Sequence, residues 1–152
     1  GTTFHLYLPA LERAAIANEA DASTRPLVEG AGETVLVVED NDATRAAMME
    51  ALSLLGYRPL GATDGRNALD LLTENGQEVA AVLCDWVMPV MDGPAFVGAM
   101  EAQGAAGPVL MLTGHSTPRP DELSLPSAVV GWIQKPPTLS QLAEAVATAL
   151  GK

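Results

Sequence analysis

The chain has 152 residues, 48% of them hydrophobic, enough for one well-buried core with a tail and too few for two comfortable domains. Its formal net charge is -11 with only eight Lys and Arg, which excludes the basic footprint that nucleic-acid binding needs and is compatible with holding metal cations. The single cysteine, Cys84, lies in an apolar run and reads as a small buried thiol rather than half of a disulfide. No apolar stretch approaches the roughly 20 residues that span a bilayer, and the N-terminal stretch lacks the basic flank and apolar core of a signal peptide. The expectation is a cytoplasmic chain, or the cytoplasmic part of something larger, with no direct membrane contact.

In chain order, Thr3-Phe4-His5-Leu6-Tyr7-Leu8 alternates like a strand, Pro9–Ala22 is helix-prone, and Ser23–Gly32 reads as a linker ending in Gly30-Ala31-Gly32. A strand without a sheet of its own suggests a fragment of a longer protein. From Thr34 onward short β-rich runs alternate with helical patterns, the signature of a parallel sheet covered by helices on both faces. The runs are Thr34–Val38, Arg58–Ala62, Val79–Cys84, Pro108–Leu112 and Ala128–Ile133. The first, third and fourth are continuously apolar, as strands buried on both faces should be, whereas the second is more polar and suits an edge. Helical patterns fall at Ala43–Leu55, Gly65–Asn75, Pro94–Ala102 and Leu139–Leu150. Gly56 ends the first, Asp64 can cap the second, and Thr138 with Gln141 forms a capping-box pattern before the last. Pro118, Pro120 and Pro126 crowd the segment between Gly114 and Ala128, so a helix there is expected to be short or missing.

In a doubly wound parallel sheet, ligands bind beyond the carboxyl ends of the strands near the point where strand order reverses. The residues at those ends are Glu39 and Asp40, then Asp85, Thr113 and Lys135. Three carboxylates converging on one site repel one another, and a hard divalent cation such as magnesium resolves the conflict. A carboxylate is a covalent nucleophile for phosphoryl groups, and Thr113 and Lys135 offer a hydroxyl and an ammonium for phosphate oxygens. Each residue alone is more often a simple helix cap; the five together point to phosphoryl chemistry. Asp92 before Gly93 reads as a turn and cap residue, and His115 as a loop histidine near the pocket.

The stretches Val37-Val38-Glu39-Asp40-Asn41, Asp85-Trp86-Val87-Met88-Pro89-Val90-Met91-Asp92-Gly93, Leu112-Thr113-Gly114 and Gln134-Lys135-Pro136 strongly resemble the motifs of response regulator receiver domains, in family order and spacing across 34–152. The resemblance implies a flavodoxin-like five-stranded parallel sheet of order 2-1-3-4-5 and Asp85 as the phosphoacceptor. It implies Mg2+ held by Asp40 and Asp85, by Glu39 through water and by the backbone carbonyl of Val87. Thr113 would be the switch hydroxyl, Lys135 the phosphate-binding lysine before a cis Pro136, and Trp132 the switch aromatic, equally readable as core filling. The family's phosphodonor is a phosphohistidine, on a histidine kinase domain that is possibly in the same parent chain or on a histidine phosphotransfer protein. The apolar Val87, two residues after Asp85, implies slow loss of the phosphoryl group.

Residues 1–9 also resemble the closing strand of a histidine-kinase ATP-binding domain, with 10–33 as a helix-prone linker and 34–152 as the receiver, the arrangement of a hybrid histidine kinase. The alternatives are a pseudo-receiver that only binds other proteins, and an aspartyl phosphatase resembling the haloacid dehalogenase group. The latter carries a second Asp two positions after its nucleophile, where this chain has Val87.

Overall fold

The computed structural model describes residues 28–75, 78–105, 107–114 and 125–152. Five strands form one parallel sheet: β1 (Thr34–Val38), β2 (Arg58–Ala62), β3 (Val79–Asp85), β4 (Val109–Thr113) and β5 (Val129–Gln134). Their order is β2-β1-β3-β4-β5, so β1 and β3 lie side by side at the centre and the more polar β2 is an edge, as its composition suggests. Among the described residues there are four helices: α1 (Asp42–Leu54), α2 (Gly65–Asn75), α3 (Gly93–Ala102) and α4 (Leu139–Ala149).

Successive strand residues point to opposite faces, and here both faces are covered. Leu36, Val38, Val82, Cys84 and Met111 pack with α2 and α3 around the fully buried Phe96. Val35, Val37, Leu83, Leu110 and Leu112 pack with Met48 and Leu52 of α1 and with Leu142 and Val146 of α4. This two-sided burial is why the central strands read as unbroken apolar runs rather than as an alternation.

Local chemistry fixes where the helices start and stop. Asn41 caps α1 by accepting from Thr44 N at 3.0 Å, Asp64 accepts from Asn67 N at 2.9 Å, and Asp92 caps α3 by accepting from Ala95 N at 2.9 Å. Thr138 and Gln141 close a reciprocal capping box at the head of α4. Gly56, at φ +81°, turns the chain out of α1 in the left-handed region that glycine adopts without a side-chain clash. The elements expected over residues 1–27, His115, and the proline-rich segment at 115–124, where a short or missing helix is expected, lie outside the described residues. No helix among the described residues is long and apolar enough to cross a membrane.

Candidate functional site

The three carboxylates that sequence places at strand ends do converge. Oxygens of Glu39, Asp40 and Asp85 lie within 4.8 Å of one another at the carboxyl end of β1 and β3. Their settings differ: Glu39 is 2% exposed and Asp85 8%, while Asp40 is exposed. Adjacent central strands hold the two buried acids side by side, since Val38 of β1 pairs with Cys84 of β3 immediately before them.

Lys135 reaches into this cluster from the end of β5. Its Nζ lies 2.5 Å from Glu39 Oε2 and 2.8 Å from Asp85 Oδ2, bridging the two buried carboxylates. The backbone helps to place it, because Lys135 N donates to Thr113 O at 2.8 Å. The Lys135-Pro136 peptide is cis, as the family resemblance implies. Burial works against the ammonium, but its hydrogen bonds to Asp85 and Glu39 outweigh that cost and raise the Lys135 pKa. The repulsion expected among the acids is thus met in part by a cation from the chain itself. One ammonium still faces three carboxylates.

The loop after Asp85 is tightly closed. Trp86 N donates to Leu112 O at 3.0 Å, and Gly93 N donates to Trp86 O at 3.1 Å. A Cβ on Gly93 would stand 2.5 Å from the Asp85 carbonyl, so only glycine lets α3 start this close to the acid. Within the loop Met91 N donates to Pro89 O at 2.8 Å around Val90, whose φ of +70° is strained for a β-branched residue. Val87 is 71% exposed beside Asp85, an apolar side chain on the water-facing rim of the site.

Thr113 ends β4 next to this cluster, and its hydroxyl makes no hydrogen bond among the described residues. Trp132 lies on β5 against the core cluster that lines α2 and α3, with its ring centroid 5.2 Å from that of Trp86 and the planes tilted by 40°. Trp132 thus fills core and packs against the residue next to Asp85. Two contributors carried no role in the sequence reading. Trp86 is one; its signal was its position directly after the acid. Arg45 is the other, donating to the Glu39 carbonyl oxygen at 2.8 Å, and its signal was a lone cation five residues after the Glu39-Asp40 pair.

The donor set suits a hard cation. All three side chains offer carboxylate oxygens, with no thiolate or imidazole in the cluster, which matches the preference of Mg2+. Beside Lys135 a groove of about 590 Å3 opens between α1 and the head of α4, walled by Ala47, Met48, Ala51, Pro136 and Leu142.

Comparison with known families agrees with this geometry. The family model of the response regulator receiver domain matches residues 35–147. The chain belongs to that family. This receiver is 35% identical over 158 residues to the sensor kinase CckA of Brucella abortus, in an alignment covering 100% of this chain and 17% of the kinase. It is 29% identical over 169 residues to the autoinducer 1 sensor kinase/phosphatase LuxN of Vibrio campbellii, covering 99% of this chain and 19% of that protein. The chain therefore spans less than a fifth of the length of these relatives. Among solved structures, the receiver domain of the hybrid histidine kinase CckA matches with a TM-score of 0.65 at 29% identity, over 77% of this chain and 98% of that one. A CheY-like receiver from Methanospirillum hungatei gives 0.69 at 29% identity, over 78% and 94%.

Proposed function

We propose that this receiver accepts a phosphoryl group on Asp85 from a phosphohistidine, in a Mg2+-dependent reaction, and passes the change on as a conformational signal. The observation that carries the reading is the clustering of Glu39, Asp40 and Asp85 within 4.8 Å of one another, with the Lys135 ammonium bridging Glu39 and Asp85. Asp40 and Asp85 would hold the ion directly, Glu39 through water, and Val87 through its backbone carbonyl. Bound there, Mg2+ supplies positive charge that offsets the acids and the incoming phosphoryl oxygens.

An Asp85 carboxylate oxygen forms the new bond to phosphorus while the phosphorus–nitrogen bond to the donor imidazole breaks. The bonding pair leaves with the imidazole nitrogen, which takes its proton from solvent. Lys135, already beside Asp85, donates to a phosphoryl oxygen, and the hydroxyl of Thr113 supplies a second donor. Drawing Thr113 and Lys135 toward the phosphoryl group shifts an equilibrium on the face formed by β5 with Trp132 and by α4. The donor is a histidine kinase domain or a histidine phosphotransfer protein. The similarity to CckA and LuxN supports a hybrid histidine kinase as the parent protein.

The test is incubation with Mg2+ and a small phosphodonor, followed by intact mass. The expected result is one added phosphoryl group that requires Mg2+ and is absent in Asp85→Asn. No Mg2+-dependent adduct in the wild type would overturn the reading in favour of a pseudo-receiver. Because Val87 places methyl groups at the site's solvent rim, the adduct should persist for many minutes with Mg2+ present. A lifetime of seconds would count against that role for Val87.

A further inference from the structure

The acid pair at the end of β1 is held unequally. Glu39 is buried, bonded to Lys135 Nζ at 2.5 Å, and accepts from Asn41 N at 3.2 Å. Asp40 is exposed, and its carboxylate makes no hydrogen bond among the described residues. The direction in which Asp40 points therefore depends on its backbone.

That backbone has a dedicated anchor. The peptide joining Glu39 to Asp40 presents the Glu39 carbonyl oxygen, which accepts from Arg45 Nη1 at 2.8 Å. The other end of the guanidinium, Nη2, lies 2.5 Å from Asp42 Oδ1, so Arg45 is gripped at two points and its side chain is only 16% exposed. Its stem crosses β2 at Gly61, where a Cβ would come within 3.4 Å of Arg45 Cδ and 2.8 Å of Met49 Sδ. A bare backbone at that position leaves the lane in which the arginine lies.

Electrostatics alone argues against a guanidinium here. A fixed positive charge near a cation site lowers its affinity for cations, and the pairing with Asp42 only reduces that penalty. We propose that Arg45 is a positioning residue for the metal site, holding the Glu39–Asp40 peptide so that the Asp40 carboxylate, which makes no hydrogen bond among the described residues, faces Asp85. This rests on the phosphoryl-accepting reading, since it requires the acids to bind a divalent cation. The two influences of Arg45 have opposite signs, so the direction of a single measurement separates them: charge removal favours cation binding, and loss of orientation opposes it.

The experiment is calorimetric titration of the full chain with MgCl2, comparing the wild type with Arg45→Met and Arg45→Lys. Partners that orient metal ligands from behind are worth about tenfold or more in affinity, so Arg45→Met should bind Mg2+ about tenfold more weakly despite losing a positive charge. Arg45→Lys, which keeps the charge and can still reach a carbonyl, should recover part of the loss. Unchanged or tighter binding by Arg45→Met overturns the proposal while leaving the phosphoryl-accepting reading intact; absence of Mg2+ binding by the wild type overturns both. Should Arg45→Met fail to fold, Arg45→Gln, whose shorter amide falls short of the carbonyl, decides by the same direction.

Discussion

Two lysine–glutamate pairs sit at opposite ends of this sheet with the same separation and different consequences. Lys135 and Glu39 meet at 2.5 Å at the carboxyl end of the strands, and Lys152 and Glu33 meet at 2.5 Å just before β1. The second pair is balanced. Glu33 also accepts from Ala31 N at 2.7 Å, Lys152 lies 5.5 Å from the centre of the Tyr57 ring, and together they fasten the strap that leads into β1. Backbone bonds complete that strap: Gly30 N to Leu55 O at 2.7 Å, Gly32 N to Gly56 O at 3.0 Å, and Arg58 N to Glu33 O at 2.9 Å. The first pair is unbalanced, because the same ammonium also serves Asp85 at 2.8 Å and Asp40 stands close by. A short ion pair therefore says little by its length. Surplus charge of one sign around it marks the end of the sheet whose acids could hold a cation.

The sharpest way to break the contrast is at Asp85. Asp85→Asn should abolish the Mg2+-dependent phosphoryl adduct entirely, whereas no change at Glu33 or Lys152 should affect it, as intact mass would record. Next comes Lys135→Met, which leaves Glu39 and Asp85 facing each other without their cation. In metal-free buffer its stability should fall by roughly 1–3 kcal/mol, the partly exposed end of the range for breaking such a pair, and phosphorylation should slow by about 100-fold or more. Added Mg2+ should raise the melting temperature of this variant more than that of the wild type. Equal shifts in the two proteins would argue against ion and ammonium sharing the same acids.

The smallest effect belongs to the balanced pair. The Lys152 ammonium, then the backbone N–H groups of Glu33 and Ala31, hold the Glu33 carboxyl at about 2, below its ordinary 4.5. A folded-state pKa below the unfolded one contributes stability that is full above about 4.5 and is lost as pH falls toward 2. Lys152→Met should flatten the pH dependence of unfolding across that window, and salt should weaken the effect in the wild type because the pair meets solvent. An NMR titration of Glu33 that gave the ordinary value would remove the basis for this expectation.

Much of the site was legible because strand ends can be located from sequence. The apolar runs of β1, β3 and β4 end within a residue of Glu39, Asp85 and Thr113, and the wound topology brings those ends together. Asp92, Thr138 and Gln141 were equally legible as caps, because capping is decided within four residues. The partner choice of Lys135 was not, since its bond to Glu39 spans 96 positions and no local pattern encodes it. Arg45 was missed for a related reason: its bonding partner is a backbone carbonyl, which every residue has. The Gly30-Ala31-Gly32 stretch read as the end of a linker, but Gly30 lies against the face of Tyr57, where a Cβ would stand 2.6 Å from the ring. Glycine is used for slack and for close approach alike, and composition does not separate the two uses.

The Trp86–Trp132 contact has an optical consequence. The chain holds two tryptophans, and both belong to this one pair beside Asp85. With centroids 5.2 Å apart and planes crossed at 40°, their transition dipoles couple, so the indole bands in circular dichroism split with a sign set by the angle between the rings. No other indole contributes a background. Any displacement of Trp132 relative to Trp86 would therefore rewrite the protein's entire indole spectrum, giving a label-free record of events at the acid cluster.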